Sequence, residues 1–577
     1  MEGWFQSHLL HFEIRIIPSL GMLLVLLLWV FIFIVFTILG ISIVKIINVI
    51  PGLYCNDYKL KPDEYFLIGF LTLSLITGIL SIFIPIGQKL LLITVVLTLI
   101  LLVINFRVIR LIFTKTVKVI SDLEKAELIL LAFFILFVLM AVVQKITWFD
   151  TQAYHAQNIQ WIQKYPVVPG LGNLHDRFAF NSMFFVISAL FTFHVKDILI
   201  FPLNGICFVV LIARLFVLYK NESDQGITWK AVFYILLLLI SLLIMIPVIN
   251  TPSPDIICAT LTIYVFILIF EKAENKVIQN YSQFILLSLL IFSCVSYKLS
   301  SLFLAAALLF FLRKDFIKRS LILLVSFILI ISPFVIRNYY LSGYLIYPFP
   351  AIDIFNVDWK VPIANVIEIK SVIEAWARIR VIPYPEVLAM KFPEWVLPWF
   401  KQMNFFNKLL VVVNLFSVFT LIIMLFRKDY FLAKVQLIIL INLVFWFIEA
   451  PDPRFSYGCI FIGFSLTFSY LIKLAGSVAF FSEMKYLRFV LACFLIIIIS
   501  RRIMVPVGTL REPSLWILPS SFPTVQTNNY FTNFHYRIPV DNGECYYTEI
   551  PCVTYPLNNV YLRGNELSEG FRVLNVK

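Results

Sequence analysis

The chain has 577 residues, of which 61% are hydrophobic and only 14% are charged. An ordinary soluble domain has about 45–50% apolar and about 25% charged residues, so this composition excludes a soluble globular protein and indicates a polytopic helical membrane protein. The net charge of +13 comes from short basic clusters between apolar runs, which is the positive-inside pattern of membrane proteins and predicts no nucleic-acid partner.

Apolar runs of about 15–20 residues or more predict membrane-spanning helices. About fourteen such runs follow one another along the chain: 18–48, 65–84, 88–106, 126–147, 197–219, 229–249, 256–270, 282–297, 300–312, 320–336, 409–426, 435–449, 456–473 and 489–500. The first run is too long for a cleaved signal peptide and predicts a retained helix. The predicted fold is therefore all-α and polytopic, with about fourteen transmembrane helices, the shorter of which are candidates for half-helices.

The basic clusters predict the orientation of these helices. With Arg501 and Arg502 as the exception, the clusters lie on one side of the membrane if the run 180–194 enters the membrane without crossing it. We take that side as cytoplasmic. The prediction then has extra N-terminal helices at 1–120, a transmembrane core at 121–502 with outer loops at 148–196 and 337–408, and an outer module at 503–577.

A polar segment at 147–182 directly follows the predicted helix 126–147. Its candidate functional side chains are those of Asp150, Tyr154, His155, Asn158, His175 and Arg177. Polar side chains at the mouth of a membrane helix cost free energy unless they meet water, a ligand or a reaction. Structural interpretations stay open beside the functional ones. Asp150 is also suited to cap a helix, and the stretch His175–Arg177 to stabilise its loop.

Further polar residues stand at predicted helix ends on the same outer side: Asp255, Lys298, Arg337 and Arg454. Lys298 has no charged neighbour in the sequence, and since an unpaired ammonium is costly there, we expect a phosphate or an acidic partner. Arg337 and Arg454 are candidates for a lipid phosphate, because a guanidinium binds two phosphate oxygens at once. They are equally suited to anchor helix ends among headgroups. For Asp255 an acceptor sugar, a metal ion and a helix N-cap stay open.

Two outer segments have a composition of their own. Residues 363–379 repeat apolar side chains at helical spacing near several tryptophans, which predicts a helix lying in the membrane interface. The tail from 503 is rich in Pro, Asn, Thr and Tyr and predicts a small module of strands and turns. Cys545 and Cys552 in this tail fit a disulfide in an oxidising compartment, with a free thiol pair or a metal-binding pair as alternatives.

Two of these motifs resemble the GT-C superfamily of membrane glycosyltransferases. They are the helix 126–147 followed by Trp148-Phe-Asp150, and Thr251-Pro-Ser-Pro-Asp255 at the start of a later helix. The second is similar to a motif of the lipid A arabinosyl- and galacturonosyltransferase-like branch. The stretches 168–175, 337–348, 358–362 and 450–455 and the Cys-x6-Cys tail resemble an uncharacterised bacterial family of multi-pass membrane proteins placed near that branch.

The resemblance implies a GT-C-like fold and an inverting glycosyltransferase of the bacterial inner membrane, acting at the periplasmic face. The donor would be a polyprenyl-phosphate-linked sugar, and the acceptor a glycan, a lipid or a protein. Asp150 would be the catalytic base that deprotonates the acceptor hydroxyl. The other candidates would bind substrate: Tyr154, His155, Asn158, His175, Arg177, Asp255, Lys298, Arg337 and Arg454. An Asp-x-Asp motif at this place would favour a divalent metal cofactor, but the chain has only the single acid Asp150. A divalent metal ion therefore stays open as a cofactor.

Two other classes of protein remain as alternatives. An O-antigen polymerase or ligase also has many helices and a large outer loop, although such enzymes depend on Arg and His more than on an acid in the first long loop. A transporter or flippase should instead gather its polar residues at mid-membrane, in broken helices related by internal repeats. The polar residues of this chain gather at one face, and no repeat is visible.

Overall fold

The computed structural model of the protein describes residues 2–49, 60–195, 198–223, 228–273, 281–309, 311–312, 315–475, 522, 525–540 and 543–574. Its helices are α1 (Glu2–Val49), α2 (Pro62–Leu80), α3 (Gln88–Ser121), α4 (Lys125–Val142), α5 (Ala156–Lys164), α6 (Leu171–Leu174), α7 (Met183–Leu190), α8 (Leu203–Ser223), α9 (Trp229–Met245), α10 (Pro254–Ala273), α11 (Tyr281–Tyr297), α12 (Ala306–Leu309), α13 (Phe316–Ser342), α14 (Ile363–Arg378), α15 (Tyr384–Ala389), α16 (Val396–Gln402), α17 (Phe405–Phe426), α18 (Tyr430–Glu449) and α19 (Tyr457–Leu474). Six short strands are β1 (Phe193–Val195), β2 (Ile198–Ile200), β3 (Thr527–Phe531), β4 (His535–Pro539), β5 (Val560–Leu562) and β6 (Phe571–Val573).

Eleven helices among the described residues are long and apolar enough to cross a membrane. They are α1 to α4, α8 to α10, α13 and α17 to α19. The predicted class of polytopic helical membrane protein is therefore confirmed. The predicted runs 282–297 and 300–312 correspond to shorter apolar segments, the second of which is a 3-10 turn followed by the four-residue helix α12. The run 489–500 lies outside the described residues.

Helix boundaries follow from local chemistry. Helix α17 begins after Asn404, whose side-chain oxygen accepts a hydrogen bond from the N–H of Asn407 at 2.9 Å, which satisfies one of the free donors of the first turn. Helix α13 ends at Gly343, whose φ of +82° is readily available only to glycine. Helix α3 continues fifteen residues beyond the predicted end at 106, because Leu, Ile and Val alternate there with Arg and Lys, which are also good helix formers.

A buried ion cluster joins three helices at the end of the bundle remote from Asp255. Asp255 is the second residue of α10, and Glu271 lies sixteen residues later, about 24 Å along the helix axis. Arg214 of α8 pairs there with Glu271, with Asp63 at 3.3 Å and with Glu64 at 3.7 Å. The Arg214 side chain is only 4% exposed. The guanidinium therefore holds α2, α8 and α10 together.

We expect the substitution Arg214→Leu to destabilise the protein strongly. The change leaves three carboxylates close together and removes the guanidinium that they share, and breaking a buried ion pair in this way costs about 3–5 kcal/mol. The measurement is the yield of monodisperse protein and its midpoint of thermal unfolding in detergent. Lys220→Leu on the same helix is the matched control, since Lys220 is more exposed than Arg214 and pairs with Glu127 at 3.0 Å. An equal loss in both variants would contradict the bridging role of Arg214.

A second layer covers the Asp255 end of the bundle. The eight-residue helix α7 is about 12 Å long and leads into the antiparallel hairpin of β1 and β2, in which Phe193 faces Ile200. The segment 180–194 is thus too short to cross a membrane, as the orientation requires. The predicted helix at 363–379 is confirmed as α14.

The C-terminal module packs on this second layer. Strand β3 pairs with β4 and β5 with β6, both antiparallel, and Cys545 and Cys552 form a disulfide. Phe534 and Phe571 of the module share a buried core with Trp161 of α5 and with Leu171 and Leu174 of α6. The predicted module of strands and turns is therefore confirmed for the described residues. Its buried core includes residues of the loop 148–196, so the module and this loop fold as one unit.

Candidate functional site

Arg454 lies at the centre of a network of charges at the Asp255 end of the bundle. Its Nη1 donates to Oδ2 of Asp150 at 2.7 Å, and its Nε lies 3.8 Å from carboxylate oxygens of both Asp255 and Asp452. Lys298 makes a close ion pair with Asp255. The structure thus brings together Asp150, Asp255, Lys298 and Arg454, although the first and the last are 304 residues apart in the chain.

Each member of the network stands at a break between helices. Asp150 directly precedes a π-helical turn over Thr151–His155 that leads into α5. Lys298 follows α11, where its N–H donates to the carbonyl of Cys294 at 2.8 Å. Arg454 lies in the 3-10 turn Pro453–Ser456 between α18 and α19. Such breaks free side chains from helix faces and allow them to converge on one point.

Asp452 shapes the turn that carries Arg454. One of its carboxylate oxygens accepts the N–H of Arg454 at 3.0 Å, and its carbonyl accepts the indole N–H of Trp446 at 2.6 Å. Its other carboxylate oxygen accepts a hydrogen bond from Arg380 Nη2 at 2.6 Å. The Asp452 side chain is only 3% exposed, whereas that of Arg380 is 52% exposed. Arg380 therefore leaves part of its side chain exposed to solvent.

Aromatic rings surround the cations. The guanidinium carbon of Arg454 lies 4.7 Å from the ring centre of Trp376 and 4.9 Å from that of Phe455. The guanidinium carbon of Arg380 lies 4.5 Å from the ring centre of Trp376, and Lys298 Nζ lies 3.7 Å from that of Phe455. Rings at these distances stabilise cations through their quadrupoles and exclude water. Helix α14 thus contributes Trp376 to the site.

Carboxylates and cations are nearly balanced in the network. It contains the carboxylates of Asp150, Asp255 and Asp452 and the cations Lys298, Arg380 and Arg454. Arg177 Nη1 lies 3.8 Å from Asp150 and also interacts with the carboxylate of Glu544. An anion would therefore be attracted mainly by Arg380, whose side chain is 52% exposed, in a partly desolvated place where such attraction is stronger than at an open surface.

Asp150 is ionised in this environment. Burial by itself raises the pKa of its carboxyl group, but the positive charge of Arg454, the hydrogen bond that Arg454 donates and the positive charge of Arg177 hold that pKa below its ordinary value. Burial lowers the pKa of His155 to about 4, so the imidazole is neutral at physiological pH. Its Nδ1 lies 3.2 Å from Thr151 Oγ1, and its ring packs edge-on against Tyr154 at 4.5 Å.

A cavity of about 300 Å³ adjoins the network. One side is polar and is formed by Asp255, Arg380, Asp452 and Arg454. The other side is apolar and is formed by Leu243, Ile244, Pro247, Val248, Ile256 and Phe406, which come from the ends of α9, α10 and α17. A second chamber of about 190 Å³ shares Arg380, Asn404, Asn407 and Asp452 with the first. The shape suits a molecule with a charged head and an apolar body.

Other predicted site residues have structural contacts. Arg337 is buried in α13, where Nη1 donates to Ser81 Oγ at 2.9 Å and Nε to Asn181 Oδ1 at 3.3 Å. It does not line the cavity beside Arg454. His175 accepts the N–H of Arg177 at 3.1 Å and packs between Phe178 and Tyr555. Asn158 donates to the carbonyl of Arg177 at 3.4 Å. Arg337, His175 and Asn158 therefore hold the outer loops in place.

The site also has members that the sequence did not single out. Asp452, Arg380 and Trp376 contact the network directly, as described above, and Trp148 lies 5.6 Å from Arg454. Asp452 stands in the polar stretch Pro451-Asp-Pro-Arg454, of which only Arg454 is among the predicted site residues. Across the described part of the chain, no group of three or more His, Cys, Asp or Glu side chains is arranged to bind a metal ion. The three aspartates of the site face cations instead.

A protein family described as "Domain of unknown function (DUF8201)" matches residues 22–461, more than half of the chain. The chain belongs to this family. The DUF8201 match contains the whole network from Asp150 to Arg454, and it ends before the C-terminal module. No curated protein and no solved structure matches the chain.

Proposed function

We propose that this protein is an inverting glycosyltransferase that transfers a sugar from a polyprenyl-phosphate carrier at the periplasmic face of the bacterial inner membrane. The observation that carries the proposal is the convergence of an ionised aspartate, two further carboxylates and four cations beside an amphipathic cavity at one end of a membrane bundle. A carboxylate that can act as a base and cations that can bind a phosphate would then act on one substrate.

The cavity accounts for the donor. Arg454 and Arg380 line its polar side, and a guanidinium binds two phosphate oxygens with matched geometry. Its apolar side is formed by residues of membrane-spanning helices such as Leu243 and Phe406, which suit an isoprenoid chain. The second chamber, which Asn404 and Asn407 line, gives room for the sugar. Asp150 lines neither chamber, and its link to them is the hydrogen bond from Arg454, so the proposal requires Arg454 to move aside when the donor binds.

The transfer step follows from this placement. Asp150 accepts the proton of an acceptor hydroxyl as the hydroxyl oxygen forms a bond to the anomeric carbon of the sugar. The bond between that carbon and the phosphate oxygen breaks on the opposite face, so the configuration inverts. Polyprenyl phosphate leaves with the bonding electrons, and Arg454 and Arg380 stabilise its added negative charge. Glycan, lipid and protein hydroxyls are all chemically suitable acceptors.

Binding of the phosphate has a further consequence for Asp150. The guanidinium of Arg454 lowers the pKa of Asp150 in the free protein. A bound phosphate partly neutralises that guanidinium and draws it away from the carboxylate, so Asp150 becomes a stronger base when the donor is present. The same residue would therefore bind the donor and prevent premature proton transfer.

The binding step is testable before the sugar is known. We expect an undecaprenyl phosphate analogue to raise the midpoint of thermal unfolding of the full chain in nanodiscs, since a ligand that binds only the folded state stabilises it. The matched control is the corresponding polyprenol, which lacks the phosphate. Equal shifts with both lipids would contradict the phosphate site.

Transfer is then tested with a panel of polyprenyl-phosphate sugars and a membrane extract as acceptor. Phosphate binding with movement of the whole lipid and no transfer would favour a flippase.

A further inference from the structure

The disulfide-closed loop 545–552 of the C-terminal module is bonded to one face of α5. Gln157 Nε2 donates to the carbonyls of Thr548 at 2.8 Å and Tyr546 at 3.1 Å. Gln160 donates to the carbonyl of Tyr547 at 3.2 Å and accepts the N–H of Ile550 at 3.0 Å. Each glutamine therefore holds the loop by its backbone at two points.

These contacts form a continuous stripe along the helix. Gln157, Gln160 and Gln163 are spaced by three residues, which places their side chains on one face. Gln163 extends the stripe by accepting the hydroxyl of Tyr547 at 2.6 Å. Gln157 and Gln160 are buried, so the amides lose water when the loop covers them, and each bond that is broken leaves a buried polar group without a partner, which is unfavourable.

The same helix carries the candidate base. The π-helical turn Thr151–His155 runs without interruption from Asp150 into α5, and the loop reaches this turn as well, because the N–H of Tyr546 donates to the carbonyl of Gln152 at 2.9 Å. π-Helical turns are rare and energetically less favourable than α-helix. The position of Asp150 therefore depends on what holds α5 and the turn in place.

A charged residue of the module lies near the site too. Glu544 directly precedes Cys545. Its carboxyl group is affected by the charges of Arg177, His175 and Asp150, although burial is the larger influence and raises its pKa. Arg177 thus interacts electrostatically with Asp150 and with Glu544 of the C-terminal module. The module contributes to the environment of the network as well as covering α5.

We propose that loop 545–552 is a positioning element for Asp150, acting through Gln157 and Gln160 of α5. The C-terminal module is on this view a part of the working site. The inference rests on the proposed function for the role of Asp150 but concerns residues outside the network, and loop 545–552 also lies beyond the DUF8201 match. Gln157 and Gln160 are positioning residues, since they contact the loop and neither the substrate nor the reacting atoms.

The test compares amide hydrogen exchange in the full chain in nanodiscs for the wild type and for the double variant Gln157→Leu, Gln160→Leu. Loss of these hydrogen bonds should reduce protection of residues 150–164 by about tenfold and leave α10 unchanged. The matched control is Arg563→Gln. It breaks a bidentate ion pair between the same module and Asp358, at 2.8 and 3.1 Å, and does not touch α5. Unchanged protection in the double variant, or an equal loss in the control, would overturn the proposal.

Reduction of the disulfide gives a second perturbation without any substitution. Treating the wild type with a thiol reductant, with reduction verified by alkylation of Cys545 and Cys552, should also expose residues 150–164 to exchange. Full protection after verified reduction would refute the positioning role even if the double variant failed to fold. This measurement needs no substrate, so its outcome is independent of whether the protein transfers sugar.

Measurements of activity distinguish a positioning role of Gln157 and Gln160 from a purely structural one. The double variant should show kcat lowered by about tenfold with the KM for donor little changed, because misplacement of a base affects the transition state more than ground-state binding. The acidic limb of its pH profile should also move to higher pH, since Asp150 would lie farther from the guanidinium of Arg454, which lowers the pKa of Asp150. If exchange changes as expected and no transfer is found for the wild type, the proposed function fails and the structural inference stands.

Discussion

Asp150→Asn is expected to abolish measurable glycosyl transfer while the protein stays folded and inserted in the membrane. The amide has nearly the same shape as the carboxylate but cannot accept the proton of the acceptor hydroxyl, and loss of a general base costs about a hundredfold to ten-thousandfold in rate. Arg454 keeps Asp255 and Asp452 as neighbours, so the network retains two of its carboxylates. The measurement is kcat with a polyprenyl-phosphate sugar, together with the midpoint of thermal unfolding.

The matched control for this substitution is Asp176→Asn. Asp176 is in the same loop, and its carboxylate lies 2.8 Å from His175 Nδ1, away from the contacts that Arg454 makes. Transfer should survive in this variant, with a moderate loss of thermal stability from the weakened loop. Full activity of Asp150→Asn, or equal losses in both variants, would show that Asp150 has only a structural role at the start of its turn.

The sequence identified the network through the cost of polar residues at membrane helix ends. Asp150, Asp255, Lys298 and Arg454 were each singled out because a charge beside an apolar run needs a partner. The isolated Lys298 illustrates the argument well, since Asp255 is the acidic partner that its position required. What the sequence did not provide was the pairing itself, because which acid meets which cation depends on how the helices pack.

Arg337 shows where the same reasoning is insufficient. It stands near a predicted helix end like Arg454, and the two are indistinguishable in the sequence by charge and by the aromatic residues that follow. Helix α13, however, continues to Ser342 and turns Arg337 toward the buried side, where serine and asparagine oxygens accept its hydrogen bonds. A one-residue change in helix register rotates a side chain by about 100°, which no composition pattern resolves.

The roles of Trp376 and Asp452 in the site could not be predicted from the sequence either. Trp376 was interpreted as an interfacial anchor of a helix, which is the usual role of tryptophan at that level of a membrane protein. Its contacts with Arg454 and Arg380 depend on how α14 packs against the turn that carries Arg454. By contrast, the module of strands, its disulfide and a helix at 363–379 were predictable, since each depends on local composition.

Arg454→Gln is expected to give the second large effect, on both donor binding and stability. The change removes the guanidinium shared by Asp150, Asp255 and Asp452, and since a buried carboxylate without its partner costs about 3–5 kcal/mol, the midpoint of thermal unfolding should fall. In the folded fraction, the KM for the lipid donor should rise by about tenfold or more, with less change in the KM for the acceptor.

The pH dependence distinguishes this interpretation from a simple loss of stability. In the wild type, Asp150 has a depressed pKa, so the base should stay ionised and active until the pH falls below the ordinary range of an aspartate, about 3.9. Without Arg454 the pKa of Asp150 rises and the acidic limb of kcat/KM should move to higher pH. Arg337→Gln is the matched control, because it removes a guanidinium that is at least as deeply buried and lies outside the cavity. It should lower stability but leave the acidic limb and the donor KM of the folded protein unchanged. The same shifts in both variants would refute the phosphate-binding role of Arg454.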